Sequence, residues 1–311
     1  MKKIMTIIGI MIASLVGIIV LFFGSVYVID KVSLKKESQK IVGYGEKVRV
    51  VGQKINVTMI GEGKETIVLL PGFMTPAPVI DFTQLTAELK NDYRVVLVEP
   101  FGYGLSDDTS RERSIENITT ELHDALEQLE ISQYTLMGHS IFGIYSLEYI
   151  NKYRDEVTAF IGLDSSVPAQ GGAEDTQSAS VKVLKDFGIY RLLAKISPET
   201  IITPPLSTEL VEQNRLLALK NIGTEATLNE AVSMSANFEK AAKLTYPVDL
   251  PVQFILASES LTDTPGWLEL HQDIVKDVKQ SKIDVLEGGH YLHHTQAPKI
   301  AELMTEFSTT K

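Results

Sequence analysis

Tyr134-Thr135-Leu136-Met137-Gly138-His139-Ser140-Ile141-Phe142-Gly143 is the segment from which the rest of the chain can be read. Tyr134–Met137 is a short apolar run of the kind that forms a buried strand, and a helix follows Gly143. A serine is thus caught on a sharp turn between strand and helix. Gly138 is needed because a side chain two residues before the serine would collide with that turn. The tight turn lifts the Ser140 hydroxyl clear of the sheet. It also leaves the Ile141 N–H at a helix N-terminus, where it can face a developing oxyanion. Serine at a helix start is ordinarily an N-cap; the strand and the glycine before this one argue for a nucleophile.

Outward from this turn, the chain alternates strands and helices from residue 47. Lys47–Gly52 and Lys54–Ile60 read as paired strands, the second with period-2 character in Ile55, Val57 and Met59. Thr66–Leu70, Arg94–Val98, Thr158–Leu163, Val252–Ala257 and Ile283–Leu286 are further short, continuous apolar runs. Such runs suit parallel strands buried on both faces. In Ser114–Glu130 the apolar positions Ile115, Ile118, Leu122, Ala125, Leu126 and Leu129 recur with the helical period. The pattern predicts a parallel sheet with helices on both faces. Between Ser166 and Pro247 there is no clear strand. Ser180–Ile196, Thr208–Lys220 and Ala226–Lys243 look helical there, and the interval is too long for an ordinary loop, so it reads as a helical cap over the strand ends.

The first residues differ in kind. Ile4 to Ile29 carry no charge; 26 residues at about 1.5 Å each reach about 39 Å, more than the roughly 30 Å of a bilayer's hydrocarbon core. Lys2 and Lys3 precede the run, and Asp30, Lys31, Lys35 and Lys36 follow it. Phe22–Tyr27 offers no small-x-small cleavage site, so the run reads as an uncleaved anchor rather than a signal peptide. The division expected is an anchor over 1–31, a linker over 32–46, a core over 47–165 and 247–311, and the cap over 166–246. A short two-lysine tail normally stays inside, which would put the body of a single-pass cell-membrane protein outside the cell.

Composition limits the chemistry. The first 37 residues hold five lysines against two acidic residues, leaving 24 basic and 38 acidic side chains in the body. So acidic a body repels nucleic acid. With no cysteine, disulfides, thiolate catalysis and Cys-bound metals are excluded. No histidine or carboxylate pair has metal-ligand spacing, and no metal or cofactor is expected. The oligomeric state stays open.

Four segments over roughly 47–311 resemble the α/β-hydrolase superfamily, in the family's order and after the right strands. Gly138-His139-Ser140 resembles its nucleophile elbow. Leu69-Leu70-Pro71-Gly72-Phe73 resembles its oxyanion-loop segment, and Glu99–Asp107 its Asp-x-x-Gly-x-Gly-x-Ser turn. Gly288-Gly289-His290 resembles the segment with the catalytic histidine. The resemblance implies an α/β-hydrolase fold with a mostly parallel sheet, helices on both faces and a helical cap, here in a membrane-anchored member of bacterial type. It implies Ser140 as nucleophile, His290 as general base, and the Phe73 and Ile141 N–H groups as the oxyanion hole. Two positions depart from the family. Pro71 stands where His is common, and Phe142 stands where Gly is usual, with Gly143 one place later; Phe142 is expected to crowd the helix against the strand.

The acid is open. After the strand ending at Leu163, Asp164 is in place, as in pancreatic-type lipases and haloalkane dehalogenases; it is the first choice. After Val252–Ala257 the family's other acid position falls near Ser260, with Glu259 adjacent and Asp263 three on. His293 and His294 are alternatives to His290 as base. His139 reads as packing beside the elbow, and His123 and His271 as solvated.

The chemistry implied is acyl transfer to water from a small-molecule, ester-like substrate. A serine nucleophile argues against dehalogenase or epoxide hydrolase activity, for which this superfamily normally uses Asp. The anchor and the apolar Leu184, Phe187, Ile189, Leu192 and Leu193 suit a lipophilic ester. An aminopeptidase-like reading would need an acidic amine site, which Glu174 and Asp175 could supply. The rival from another class is a non-catalytic binder of a ligand or partner.

Overall fold

A computed structural model describes residues 2–172, 174, 175 and 177–309. Helix α1 (Lys2–Glu37) carries the apolar run and continues past residue 31 into the expected linker, so that only a short irregular stretch precedes the sheet. The strands are β1 (Glu46–Val50), β2 (Gln53–Ile60), β3 (Glu65–Leu70), β4 (Tyr93–Glu99), β5 (Tyr134–His139), β6 (Val157–Leu163), β7 (Val252–Ala257) and β8 (Ser281–Leu286). They form one eight-stranded sheet in the order β1-β2-β4-β3-β5-β6-β7-β8. β2 runs antiparallel to β1 and β4; from β4 to β8 every pairing is parallel. The fold is that of an α/β hydrolase.

The continuous apolar runs are explained by burial on both sides. Val68, Val96, Leu136, Phe160 and Phe254 face one apolar core, which includes residues of α4 (Ile115–Gln128) and α5 (Phe142–Lys152). The alternate residues Ile67, Val95, Met137, Ile161 and Ile255 face another, which includes residues of α3 (Thr83–Leu89) and α13 (Ala297–Thr309). Between β3 and α3 lies the single turn α2 (Pro78–Asp81). In parallel strands the pairings Leu70↔Gly138, His139↔Leu163 and Ala257↔Leu286 align the C-terminal ends along one edge. Loops leaving that edge are brought together, the usual place for a site in an open α/β sheet.

Between β6 and β7 come α6 (Ser178–Asp186), α7 (Ile189–Ile196), α8 (Thr208–Asn221) and α9 (Glu225–Ala241). The single helix expected over 180–196 is two. Gly188 breaks it with φ 72°, where a side chain would be strained, and a Cβ there would lie 2.5 Å from the Asp30 Cβ of α1. The chain closes through α10 (Ser258–Asp263), α11 (Trp267–Ile274), β8, α12 (Leu292–Thr295) and α13.

Candidate active site

Ser140 leaves β5 with φ 56°, an unfavourable backbone for a residue with a side chain. The turn is held by neighbours: the Ser140 N–H donates to Leu163 O at 3.2 Å, and the Ser166 N–H donates to Ser140 O at 2.8 Å. A Cβ on Gly138 would sit 3.1 Å from Ser146 Oγ and 3.2 Å from Phe142, tight contacts that its neighbours would have to yield to rather than a direct collision. The crowding expected from Phe142 does not occur. Its buried ring begins α5 and meets Tyr145 edge to face, with centroids 5.1 Å apart. The close approach is made by Gly143 instead, where a Cβ would fall 2.2 Å from Ser166 O.

His290 follows β8 on a turn opened by Gly288, at φ 138°. Its Nε2 lies 2.9 Å from Ser140 Oγ and its Nδ1 2.6 Å from Asp164 Oδ2. Asp164 ends β6 with φ 38° and is buried. Its Oδ1 accepts the Ala257 N–H at 3.0 Å and the Trp267 Nε1–H at 3.2 Å, and its Oδ2 accepts the Ser260 hydroxyl at 2.6 Å. Burial by itself raises the Asp164 pKa, but hydrogen bonds from His290, Ser260 and the Ala257 N–H outweigh it and hold the carboxyl below its ordinary value. An ionised Asp164 keeps the proton of His290 on Nδ1 and leaves Nε2 free to accept from the Ser140 hydroxyl. Glu259 and Asp263 are exposed on α10. Glu259 is tied by its N–H to Gly288 O at 3.1 Å.

On the other side of Ser140, a Cβ on Gly72 would lie 3.2 Å from Ser140 Cβ and 2.7 Å from His139 Nδ1, so only glycine lets the β3 loop come this close. Neither the Phe73 N–H nor the Ile141 N–H has an acceptor among the described residues. The next N–H, of Met74 (φ 57°), donates to Tyr103 Oη at 3.1 Å, and Tyr103 in turn donates to Glu230 of α9 at 2.8 Å. Tyr145 donates to the other oxygen of Glu230 at 2.9 Å. A buried carboxylate of the helical insertion therefore braces the loop that carries Phe73. Tyr103 belongs to the Glu99–Asp107 turn, whose shape also has a local cause: Glu99 accepts the Leu105 N–H at 2.7 Å, and a Cβ on Gly104 would strike its carboxylate.

The remaining histidines divide differently from expectation. His139 packs beside the elbow; burial pushes its pKa well down, and as a neutral ring it donates from Nε2 to His290 O at 3.0 Å. His293 and His294 do not approach Ser140. Their Nε2 atoms lie 2.8 and 2.7 Å from the two oxygens of Asp81 on α2, which ties the His290 loop to the segment after β3. Burial raises the Asp81 pKa, but both histidines together drive it well below the ordinary value. These three side chains form a group with ligating atoms within 4.8 Å, contrary to the expectation of no metal-like grouping. Asp81 is too distant in sequence for spacing to show it. His271 was expected in solvent but is fully buried, with Nδ1 2.7 Å from Trp267 O and Nε2 2.9 Å from Ser165 O, behind the Asp164 cluster. His123 is also partly covered, stacked on Tyr153 at 3.8 Å and 2.9 Å from Glu156.

Phe73 and Met74 separate two cavities under the insertion. One, of about 180 Å³, is lined by Tyr190, Ile201, Ile202 and Ile222 together with the polar Thr75 and Asn214. The second, of about 280 Å³, is lined by Glu174, Asp175, Val181, Leu228, Ala231 and Met234.

Sequence comparison agrees with this architecture. Residues 65–248 match the alpha/beta hydrolase fold family, and the chain belongs to it. Over 320 aligned residues it is 27% identical to the protein YbdG of Bacillus subtilis, covering 99% of this chain and 98% of that one. It is 26% identical to the putative carbamate hydrolase RutD of Cronobacter sakazakii, over 68% of this chain and 78% of that one. The enol-lactonase of Burkholderia xenovorans shares the fold with a TM-score of 0.65 at 15% identity, over 85% of this chain and 100% of that one.

Proposed function

We propose that the protein is a serine hydrolase that cleaves lipophilic, ester-like substrates through an acyl-enzyme on Ser140. The observation that carries this reading is the relay of Ser140 Oγ, His290 Nε2, His290 Nδ1 and Asp164 Oδ2, with steps of 2.9 and 2.6 Å, beside two N–H groups with no acceptor among the described residues. In the first half-reaction Ser140 Oγ attacks the substrate carbonyl carbon while His290 Nε2 takes the hydroxyl proton. The carbonyl oxygen becomes an oxyanion, held by the Phe73 and Ile141 N–H groups. Asp164 stabilises the imidazolium and fixes its tautomer. His290 returns the proton to the leaving oxygen as the C–O bond breaks, giving an alcohol and the acyl-serine. Water repeats the sequence: His290 takes its proton, hydroxide adds to the acyl carbon, and Ser140 leaves with that proton.

The helical insertion serves as the cap in this reading, and the cavity lined by Phe73, Ile201, Ile202, Ala218 and Ile222 offers an acyl chain apolar contacts. A carbamate, the substrate class in the name of the Cronobacter relative, presents the same kind of carbonyl. The aminopeptidase-like alternative is less well supported, because Asp175 spends its carboxylate on the N–H groups of Gln177 and Ser178 at the start of α6. Helix α1 would anchor the enzyme as a single span, with the body outside the cell. A fluorophosphonate probe should label the wild-type protein and fail to label Ser140→Ala. A wild type that is neither labelled nor active on short and long acyl esters overturns the serine-hydrolase reading.

A further inference from the structure

The last turns of α1 do not stand free of the insertion. Asp30 and Glu37 both bind Arg191 of α7, through Nε at 2.8 Å and Nη1 at 2.7 Å, and Glu37 also reaches Arg215 of α8 at 3.1 Å. Asp30 is buried by this contact although nearly all of α1 is exposed. The approach is close: a Cβ on Gly188 would lie 2.5 Å from Asp30 Cβ and 3.1 Å from Val26 O. Val26 belongs to the uncharged run. The α6–α7 corner therefore meets α1 about one turn inside the boundary marked by Asp30 and Lys31.

That contact fixes a depth. If Ile4–Ile29 fills the bilayer, whatever touches Val26 lies at the edge of the hydrocarbon. At that corner Phe187 is 50% exposed, and Val183, one helical turn earlier on the same face, is also 50% exposed. No residue of α6 or α7 is buried in the molecule. Exposed Phe and Val at the level of the headgroups and upper acyl chains are in the environment that favours them.

We propose that α6 and α7 form a membrane-contacting surface, with Phe187 and Val183 immersed in the lipid leaflet next to the body and the Arg191 ion pairs holding the cap at that depth. This rests on the reading of α1 as a membrane span and adds the placement of the cap. Tyr190 lines the cavity that Phe73 also borders, and its neighbour Arg191 grips α1, so α7 runs from the lipid surface to that cavity. A substrate partitioned in the bilayer would reach the cavity without crossing water.

The chain has no cysteine, so one introduced residue gives a unique label. Full-length Leu15→Cys, Val183→Cys, Phe187→Cys and Asp273→Cys would each carry an environment-sensitive fluorophore in phosphatidylcholine vesicles with or without acyl-brominated lipid. The probes at 15, 183 and 187 should lose emission in brominated vesicles. At 183 and 187 the loss should be greater when bromine lies near the headgroup than near the chain end. The probe at Asp273, on α11 of the sheet body, should lose none. Loss at 15 with none at 183 and 187 overturns the proposal and leaves the span intact. No loss at 15 overturns the span itself and the proposal with it.

Discussion

The strand-end platform and the α6–α7 arm are built in opposite ways. On the platform, Asp164 accepts from four separate donors, Ser140 is pinned by β6 and the loop after it, and Phe73 is braced through Met74, Tyr103 and Glu230. On the arm no side chain is buried, and the polar contacts that hold it to α1 sit at its edge. Within the insertion, α8 and α9 go with the platform, since both bury residues against it, among them Leu217, Glu230 and Phe238. On the proposed reading, geometry is over-determined where bonds would be made and broken, and loosely held where a substrate would enter.

The largest expected effect is on the platform. Asp164→Asn should lower kcat by about 10⁴, since the wrong tautomer of His290 is then favoured. Glu259→Gln and Asp263→Asn should leave it within about threefold, as expected of exposed side chains away from such features. Steady-state kinetics on an acyl ester, with melts to check folding, decide this; collapse in Glu259→Gln with a working Asp164→Asn would move the acid to α10.

A smaller effect separates the regions by pH. All six histidines lie outside the insertion, so acid should loosen the platform first. Burial holds the His271 pKa below its ordinary value in the folded protein, whereas the unfolded chain titrates normally. As pH falls below about 6.5 the unfolded state takes up the proton first, and stability is lost by up to about 1.4 kcal/mol per pH unit for each such imidazole. His271→Gln should therefore flatten the stability–pH curve by about that slope relative to wild type, as read by urea unfolding at several pH values. Equal slopes would mean that His271 is already charged in the fold.

The smallest effect belongs to the arm. Val183→Ser should change the unfolding free energy in detergent by less than about 0.5 kcal/mol, because the methyls it removes pack against little. A loss of 2 kcal/mol or more, on the order of a buried aliphatic truncation, would show that the arm is packed like α8 and α9.

The same contrast explains what could be read in the sequence. Ser140 and His290 were legible because each sits in a short local pattern of glycines that serves one turn, and the strands because each is a continuous apolar run. Asp164 could be named only as one of three carboxylates. What sets it beside His290 in the structure is contact with Ser260, Trp267 and Ala257, which converge on it from about a hundred residues away. The Asp81 pair with His293 and His294 was invisible for the same reason. His271 was misread because α11 is short and its burial depends on Phe254 and Ser165 rather than on its own periodicity. Gly188 marked a helix break in plain sight, but the reason for it, the flank of α1, lies in another segment.

Ser260 sits at the later of the two positions at which the sequence offered an acid, and its hydroxyl donates to Asp164. The two positions from which this fold can present its acid are here joined by one hydrogen bond, 2.6 Å long, with the carboxylate at one end and a hydroxyl at the other. The charge could therefore be moved across that bond with little rebuilding. An aspartate in place of Ser260 together with a serine in place of Asp164 would restore the same pair of groups with their ends exchanged.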